Sequence, residues 1–196
     1  MFNKDELVKI EEEIKELENK RKAILDEAKK AEDEHVDLII SLGDFERTML
    51  LPLQKTNIPK IGVYGNHDYG EYMKEIGMFN LHMCTWKFGG YTFGGFQGCV
   101  RYKNNPQASM YTQEEANKMF SYFPPVDIFI THCPPRGIND EEETAHQGFD
   151  GLRNYIDKYP PKVLFHGHTY PSENSMIHEY NGIRIEDVSG YRIVDI

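Results

Sequence analysis

The 196-residue chain has few of the features that mark secreted or membrane-spanning proteins. Its three cysteines, Cys84, Cys99 and Cys133, are an odd number without paired metal spacing, which argues against a disulfide framework and favours reduced thiols. No run approaches the roughly 18 consecutive apolar residues of a membrane span. The first six residues also show no apolar signal region. These absences predict a cytoplasmic protein without a membrane partner.

Basic side chains are scarce as well. The chain has 22 Lys and Arg against 32 Asp and Glu, which gives a formal net charge of −10. Non-specific nucleic-acid binding depends on clustered basic side chains that contact phosphates. We therefore expect no strong nucleic-acid binding, and a phosphate-bearing substrate would have to be held by something other than a basic surface.

The first 35 residues differ from the rest of the chain and predict one long amphipathic helix. Apolar or small residues recur at alternating steps of three and four, interrupted once by arginine, and Glu and Lys fill most positions between them. The stripe consists of Leu7, Ile10, Ile14, Leu17, Arg21, Ile24, Ala28 and Ala31. Such a stripe fits either the seam of a homodimer or packing on the chain's own body. We expect residues 1–35 to be this helix and residues 36–196 to form the main domain.

From residue 36 onward, short apolar runs alternate with loops and helical patterns, which predicts an α/β fold. The expected strands cover residues 36–42, 60–64, 127–131 and 163–165, with a hairpin over 81–98 that turns at Gly89-Gly90. Helices are expected over about 112–123, where Thr112 and Glu115 form a capping box, and over about 148–158. The tail, residues 176–196, predicts three short strands.

Metal-binding residue types follow four of the predicted strands. These residues are Asp44, Asn66, His132 and His168. The carboxyl ends of parallel strands face one crevice in open α/β sheets, so these side chains can converge although they are distant in sequence. Oxygen and imidazole ligands of this kind suit Mn, Fe, Ni or Zn. We also expect glycine to matter at positions 43, 65 and 167, because a side chain there would block the backbone from approaching a bound ion or phosphate.

The order of these motifs resembles that of the calcineurin-like metallophosphoesterases. The resemblance rests on Gly43-Asp44, Gly65-Asn66-His67-Asp68, Thr131-His132 and Gly167-His168, and it covers about residues 36–196. The run Thr131-His132-Cys133-Pro134-Pro135 with Gly137-Ile138 looks like the small class III phosphodiesterases related to the brain metallophosphoesterase-domain proteins. This resemblance implies a four-layer αββα sandwich of two mixed sheets and hydrolysis of a phosphate ester by metal-activated water.

The resemblance also implies roles for individual residues. Asp44 matches the metal-bridging aspartate and belongs to the catalytic set, while Asn66, His132 and His168 match further metal ligands. Asn66 is in addition expected to contact the substrate. His67 matches the catalytic histidine, which could protonate the leaving oxygen or stabilise its charge. The implied partner is a small phosphate ester or nucleotide, and a phosphodiester is favoured over a monoester.

The sequence departs from the family pattern in two places. The family's first strand, which ends in Asp-x-His, has no counterpart here, because Asp33-Glu34-His35 precedes a strand instead of following one. The family's last motif, Gly-His-x-His, is replaced by residues 167–170, which end in Tyr170. We therefore expect a degenerate first metal site and one bound ion rather than two. Tyr170 and His166 remain open as substitute ligands.

Three further side chains are candidates near the site. Arg101 and Arg136 could clamp a phosphate, because a guanidinium group matches phosphate oxygens in a bidentate manner. His146 lies in an acidic loop and is either at the mouth of the site, as the resemblance implies, or a solvated loop residue. The sequence thus predicts a metal-dependent phosphoesterase. The alternative is a catalytically weak or inactive relative that binds a phosphorylated ligand or a protein partner.

Overall fold

The computed structural model describes residues 4–45, 50–69 and 71–196. The predicted N-terminal helix is confirmed as α1, Lys4–Asp33. Three stripe residues, Ile10, Ile14 and Leu17, are 37–50% exposed. The side chains of the other stripe residues lie outside the described part of the chain; these are Leu7, Arg21, Ile24, Ala28 and Ala31. Between Ile10 and Leu17, the apolar stripe of α1 is therefore not covered by the described part of the chain.

A small parallel sheet follows α1. It contains β1 (Ile39–Ser41), β2 (Lys60–Gly62) and β3 (Phe79–Asn80) in the order β1-β2-β3. A 3₁₀ helix, Leu51–Lys55, connects β1 to β2, and a short helix α2, Tyr72–Glu75, connects β2 to β3. We expected two mixed sheets, but this one contains only parallel strands among the described residues.

The larger sheet is mixed and has six strands. The predicted hairpin is confirmed as β4 (Thr85–Phe88) and β5 (Tyr91–Phe96), which pair antiparallel. A two-stranded parallel pair, β6 (Cys99–Val100) and β7 (Met110–Tyr111), stands apart from the larger sheet. The remaining strands of the larger sheet are β8 (Ile128–Thr131), β9 (Val163–His166), β10 (Glu179–Tyr180) and β11 (Ile183–Asp187), and its order is β10-β11-β9-β8-β5-β4.

Two helices cover one face of the larger sheet. Helix α3, Gln113–Ser121, begins with the predicted capping box, in which Thr112 and Glu115 bond each other's backbone N–H groups. Helix α4 spans Asp150–Lys158. Phe120 of α3 and Tyr155 of α4 pack with Phe129 of β8 in one buried cluster. The helices therefore form an outer layer on this sheet.

The opposite face of the larger sheet packs on the small sheet. Because side chains alternate along a strand, Ile128 and Ile130 point away from the side that Phe129 covers. They form a second core with residues of the small sheet, namely Ile61, Val63 and Leu81, together with Phe93, Val163 and Phe165. The far face of the small sheet packs against the 3₁₀ helix and α2. These layers confirm the predicted αββα sandwich.

The predicted third strand of the tail is not present. After β11, residues 188–196 form no strand. Side-chain anchors hold this segment instead: Arg184 donates to the Asp195 carbonyl at 2.8 Å, and Arg192 donates to Glu186 at 2.7 Å. The described residues include no helix that is long and apolar enough to cross a membrane.

Candidate metal centre

The predicted metal-binding residues lie at the ends of four strands and converge. Asp44 follows β1, Asn66 follows β2, His132 follows β8 and His168 follows β9. Strands β1 and β2 belong to the small sheet, while β8 and β9 belong to the larger one. The centre therefore lies where the carboxyl ends of both sheets meet, in agreement with the rule for parallel strands.

Two glycines allow the loops after β1 and β2 to touch. Gly43 has a φ of +94°, and a Cβ there would lie 2.2 Å from the Gly65 nitrogen. A Cβ on Gly65 would lie 2.0 Å from Oδ1 of Asp44. At Gly167, by contrast, a Cβ would meet its nearest neighbour at an ordinary 3.6 Å. Of these three glycines, Gly43 and Gly65 are therefore the ones that the contact between the loops requires.

Two of the converging residues have an uncommon backbone conformation. Asp44 has a φ of +60° and His168 a φ of +70°. Residues other than glycine rarely adopt positive φ values, and such strain tends to occur at functional sites. The conformation turns both side chains into the space between the sheets, where the other donor atoms lie.

Asp68 holds the two loops together. Its carboxylate accepts the backbone N–H groups of Asp44, Phe45 and Gly65 at 2.6–2.9 Å. The Tyr72 hydroxyl donates to the same carboxylate at 2.7 Å. The motif Gly65-Asn66-His67-Asp68 contains this residue, but the sequence alone does not indicate its role. The sequence indicates Asp68 only by its place at the end of this motif. Its role could not be predicted, because two of the N–H groups that it accepts lie more than 20 residues away in the sequence.

Four potential ligand atoms surround one point. Nε2 of His132 lies 3.0 Å from Oδ1 of Asn66, 3.1 Å from Nδ1 of His168 and 3.4 Å from Oδ2 of Asp44. The ligand atoms of Asp44, His132 and His168 all lie within 4.8 Å of one another. His132 and Asn66 are each only 2% exposed. The centre is thus a compact set of two oxygens and two imidazole nitrogens.

Backbone carbonyls determine which nitrogen of each histidine carries the proton. Nδ1 of His132 lies 2.7 Å from the Leu42 carbonyl oxygen, and Nε2 of His168 lies 2.7 Å from that of Ala145. A carbonyl oxygen can only accept, so each of these nitrogens donates its N–H. In the neutral rings, Nε2 of His132 and Nδ1 of His168 therefore present lone pairs to the centre. Carbonyls orient metal-binding histidines in this way.

The electrostatics of the centre favour a cation. Burial alone would raise the pKa of Asp44, but the neighbouring His132 and the backbone N–H of His67 outweigh it and lower that pKa to about 2. Burial, with a smaller effect from the neighbouring His132, lowers the pKa of His168 to about 4. At neutral pH the centre therefore contains a carboxylate and a neutral His168. Facing lone pairs repel one another unless a positive charge lies between them.

The donor set fits a divalent transition metal. Carboxylate, amide oxygen and imidazole are ligands of Mn, Fe, Ni and Zn. Nδ2 of Asn66 contacts the Tyr102 hydroxyl at 3.4 Å, which leaves its Oδ1 facing the other donors. Asp44, Asn66, His132 and His168 could therefore hold one such ion together.

His67 stands at the exposed side of the centre. Its backbone N–H donates to Oδ1 of Asp44 at 2.8 Å, which fixes its position beside the donor set. The residue is exposed, whereas Asn66 and Asp68 on either side are buried. The imidazole of His67 can therefore meet a molecule that approaches from solvent.

Both predicted arginine clamps have carboxylate partners. Arg101 donates to Glu115 at 2.9 Å and to the Met110 carbonyl at 3.2 Å. Arg136 donates to Asp140 at 2.7 Å and to Glu142 at 2.8 Å. Each guanidinium is thus already engaged by an acid, a pairing that the sequence does not reveal.

The two substitute ligands considered above lie outside the donor set. His166 is fully buried, lies 3.0 Å from Nδ2 of Asn139 and faces Asp187 at 3.7 Å. Tyr170 is 75% exposed and lines a surface pocket with residues such as Gly137 and Ile177. Strand β9 ends at His166, and His168 follows it with a φ of +70°. The alternation of side chains along the strand therefore does not extend to His168, and only His168 reaches the centre.

Comparisons with known proteins agree with this fold. A solved structure, that of TT1561 of Thermus thermophilus, superposes with a TM-score of 0.57 at 19% identity over 74% of this chain and 75% of that chain. At this identity the likeness shows the fold alone. Comparison with curated proteins finds no match. The family model described as calcineurin-like phosphoesterase matches residues 13–172, which is most of the chain. The chain therefore belongs to the calcineurin-like phosphoesterase family, whose members hydrolyse phosphoesters with divalent metals.

Proposed function

We propose that this protein is a phosphodiesterase that works with one divalent ion held by Asp44, Asn66, His132 and His168. The observation that supports this most is the orientation of the donors: two carbonyls turn the imidazole lone pairs toward the carboxylate and amide oxygens. Of the metals that suit such ligands, we propose Mn, Ni, Fe or Zn.

The proposed mechanism divides the work between the ion and the protein. A bound divalent ion would supply Lewis acidity and lower the pKa of water. The chain's own residues do the rest: Asp44 stays ionised because of its low pKa, and Asn66 presents its amide oxygen to the centre. His67, fixed by its N–H bond to Asp44, is placed to give a proton to the leaving oxygen.

The charge around the centre supports a diester substrate. A phosphodiester carries one negative charge at neutral pH, while a monoester carries nearly two. Arg101 and Arg136 are both paired with acids, so neither guanidinium is free to neutralise the second charge of a dianion. We infer that the substrate is a small phosphodiester or a nucleotide with a phosphodiester bond, and that the protein acts in the cytoplasm.

The donors that the structure brings together also support the proposal of a single ion. Within the described residues, the group at the centre has one carboxylate and two histidines, together with Asn66. Tyr170, at the position of the family's last histidine, is exposed and outside this group. This supports the proposal that the first metal site of the family is degenerate here.

Hydrolysis of bis-p-nitrophenyl phosphate with added Mn²⁺ tests the proposed function. We expect His67→Ala to lower kcat about 100-fold, the usual contribution of a general acid. His178→Ala, outside every motif, is the matched control and should retain wild-type activity. Equal rates for His67→Ala and wild type would contradict the proposed role of His67.

A second candidate function is binding of a phosphorylated ligand without efficient hydrolysis. Tyr170 at the position of the family's last histidine and the engaged arginines favour it, because one ion cannot hold both the attacking and the leaving oxygen as a pair does. Wild-type turnover no higher than that of His67→Ala, combined with measurable binding of the diester, would support this alternative.

A further inference from the structure

A second group of donor atoms lies in the loop between β8 and α4. Nδ1 of His146 is 3.6 Å from Oε2 of Glu141 and 3.5 Å from Oε2 of Glu143, and the three atoms lie within 4.8 Å of one another. These separations are too long for good hydrogen bonds, which measure about 2.7–3.2 Å. They match the spacing of about 3.3–3.6 Å between two tetrahedral ligands that are each about 2.0–2.2 Å from zinc.

The imidazole nitrogen in this group lacks a hydrogen-bond partner among the described residues. Nδ1 of His146 is inaccessible to solvent and has no hydrogen bond to any part of the chain that the structure describes, although the side chain as a whole is 36% exposed. Buried polar atoms are normally satisfied, because leaving one unpaired costs free energy. A cation between the nitrogen and the two carboxylates would satisfy all three groups at once.

The acids of this loop are divided between two destinations. Asp140 and Glu142 are bonded to the Arg136 guanidinium. Glu141 and Glu143 instead face the unpartnered nitrogen of His146. The single positive charge of Arg136 is therefore shared by one pair of acids, and the other pair concentrates negative charge beside an imidazole.

We propose that Glu141, Glu143 and His146 form a second divalent-cation site, best suited to Zn²⁺. Two carboxylate oxygens and one imidazole nitrogen are a ligand set that zinc binds while keeping a fourth position for water. The His146 ring lies 5.5 Å from that of His168, so the site adjoins the first centre, but it shares no ligand with it. The proposal does not depend on the proposed catalytic function.

Titration of the metal-free full chain with Zn²⁺ tests this site. We expect wild type to bind two ions. Glu143→Gln should lower the affinity for one of these ions by about tenfold or more, since even the loss of an outer-shell partner lowers metal affinity by about that factor. Glu143 is 71% exposed, so its replacement should leave the fold intact. Glu142→Gln is the matched control on the same loop, because Glu142 bonds Arg136, and it should bind like wild type.

Two further variants separate this site from the first centre. His132→Ala should remove the first ion and leave the loop site, and Asp44→Asn serves the same purpose if His132→Ala does not fold. Anomalous diffraction at the zinc edge should show a peak between Glu141, Glu143 and His146. Identical isotherms for wild type and Glu143→Gln, or no peak in the loop at saturating Zn²⁺, would overturn the proposal.

Discussion

At the residue scale, the candidate centre depends on how each donor is held. His132 and His168 are oriented by carbonyls that lie 90 and 23 residues away in sequence. Asn66 is oriented by Tyr102, whose hydroxyl lies 3.4 Å from its amide nitrogen. Each of these side chains uses one polar atom for its support, so its other polar atom is free to bind an ion.

The buried carboxyl of Asp187 leads to a prediction about pH. Its side chain is 3% exposed, and Oδ1 has no hydrogen-bond partner within the described residues. Burial raises the pKa of Asp187 from 3.8 to about 6, although Arg192 opposes the shift. Between these values the folded chain holds a proton that the unfolded chain releases, so stability should fall as pH rises from about 4 to about 6.

Replacement of this carboxyl by an amide should remove the effect. We expect Asp187→Asn to increase the free energy of unfolding at pH 7.5 by about 1–3 kcal/mol relative to wild type, and to change it little at pH 4. Urea unfolding at both pH values measures this. Asp195→Asn, on the exposed tail, is the control. An equal pH dependence in Asp187→Asn and wild type would contradict the account.

At the scale of elements, the loops after β1 and β2 act as one unit through Asp68. This carboxylate is 4% exposed and satisfies three backbone N–H groups that neither strand can pair. It therefore positions Asp44 without contacting the donor set directly.

Removal of the Asp68 carboxylate should lower the free energy of unfolding more than removal of one of its hydrogen bonds. We expect Asp68→Ala to lower the free energy of unfolding by about 3–5 kcal/mol, because it leaves buried N–H groups unsatisfied, and Tyr72→Phe to lower it by about 1 kcal/mol. Chemical denaturation measures both. A similar loss in the two variants would show that Asp68 does not hold the loops together.

Local patterns were sufficient to predict most elements of this fold. The short apolar runs indicated the strands, and the Thr112–Glu115 capping box indicated the start of α3. The donor residues were predictable because each follows a strand. The pairing of Arg136 with Asp140 and Glu142, and the N–H groups that Asp68 accepts, depend on how the loops fold. The tail was mispredicted because arginine anchors replaced a strand ladder.

At the scale of the whole molecule, α1 presents an apolar stripe to solvent. Ile10, Ile14 and Leu17 are exposed on a helix of 30 residues. Glu and Lys occupy most of the positions between them. Stripes of this spacing pair with a second helix in coiled coils. This supports the proposal of a homodimer through α1.

A single charged residue in the stripe should prevent this pairing. If α1 forms the dimer, wild type should have about twice the mass of one 22.8 kDa chain in light scattering, and Ile14→Glu should have the mass of one chain. Lys9→Ala changes the net charge by the same amount off the stripe and should remain dimeric. A monomeric wild type would end the proposal.

The central claim is that the ends of the four strands bind one divalent ion, and crystals grown with Mn²⁺ test it most directly. The account predicts an anomalous peak within bonding distance of Oδ2 of Asp44, Oδ1 of Asn66, Nε2 of His132 and Nδ1 of His168. It also predicts that His132→Ala abolishes that peak. Ordered side chains at all four positions without a peak at saturating Mn²⁺, or a peak that persists in His132→Ala, would contradict the account.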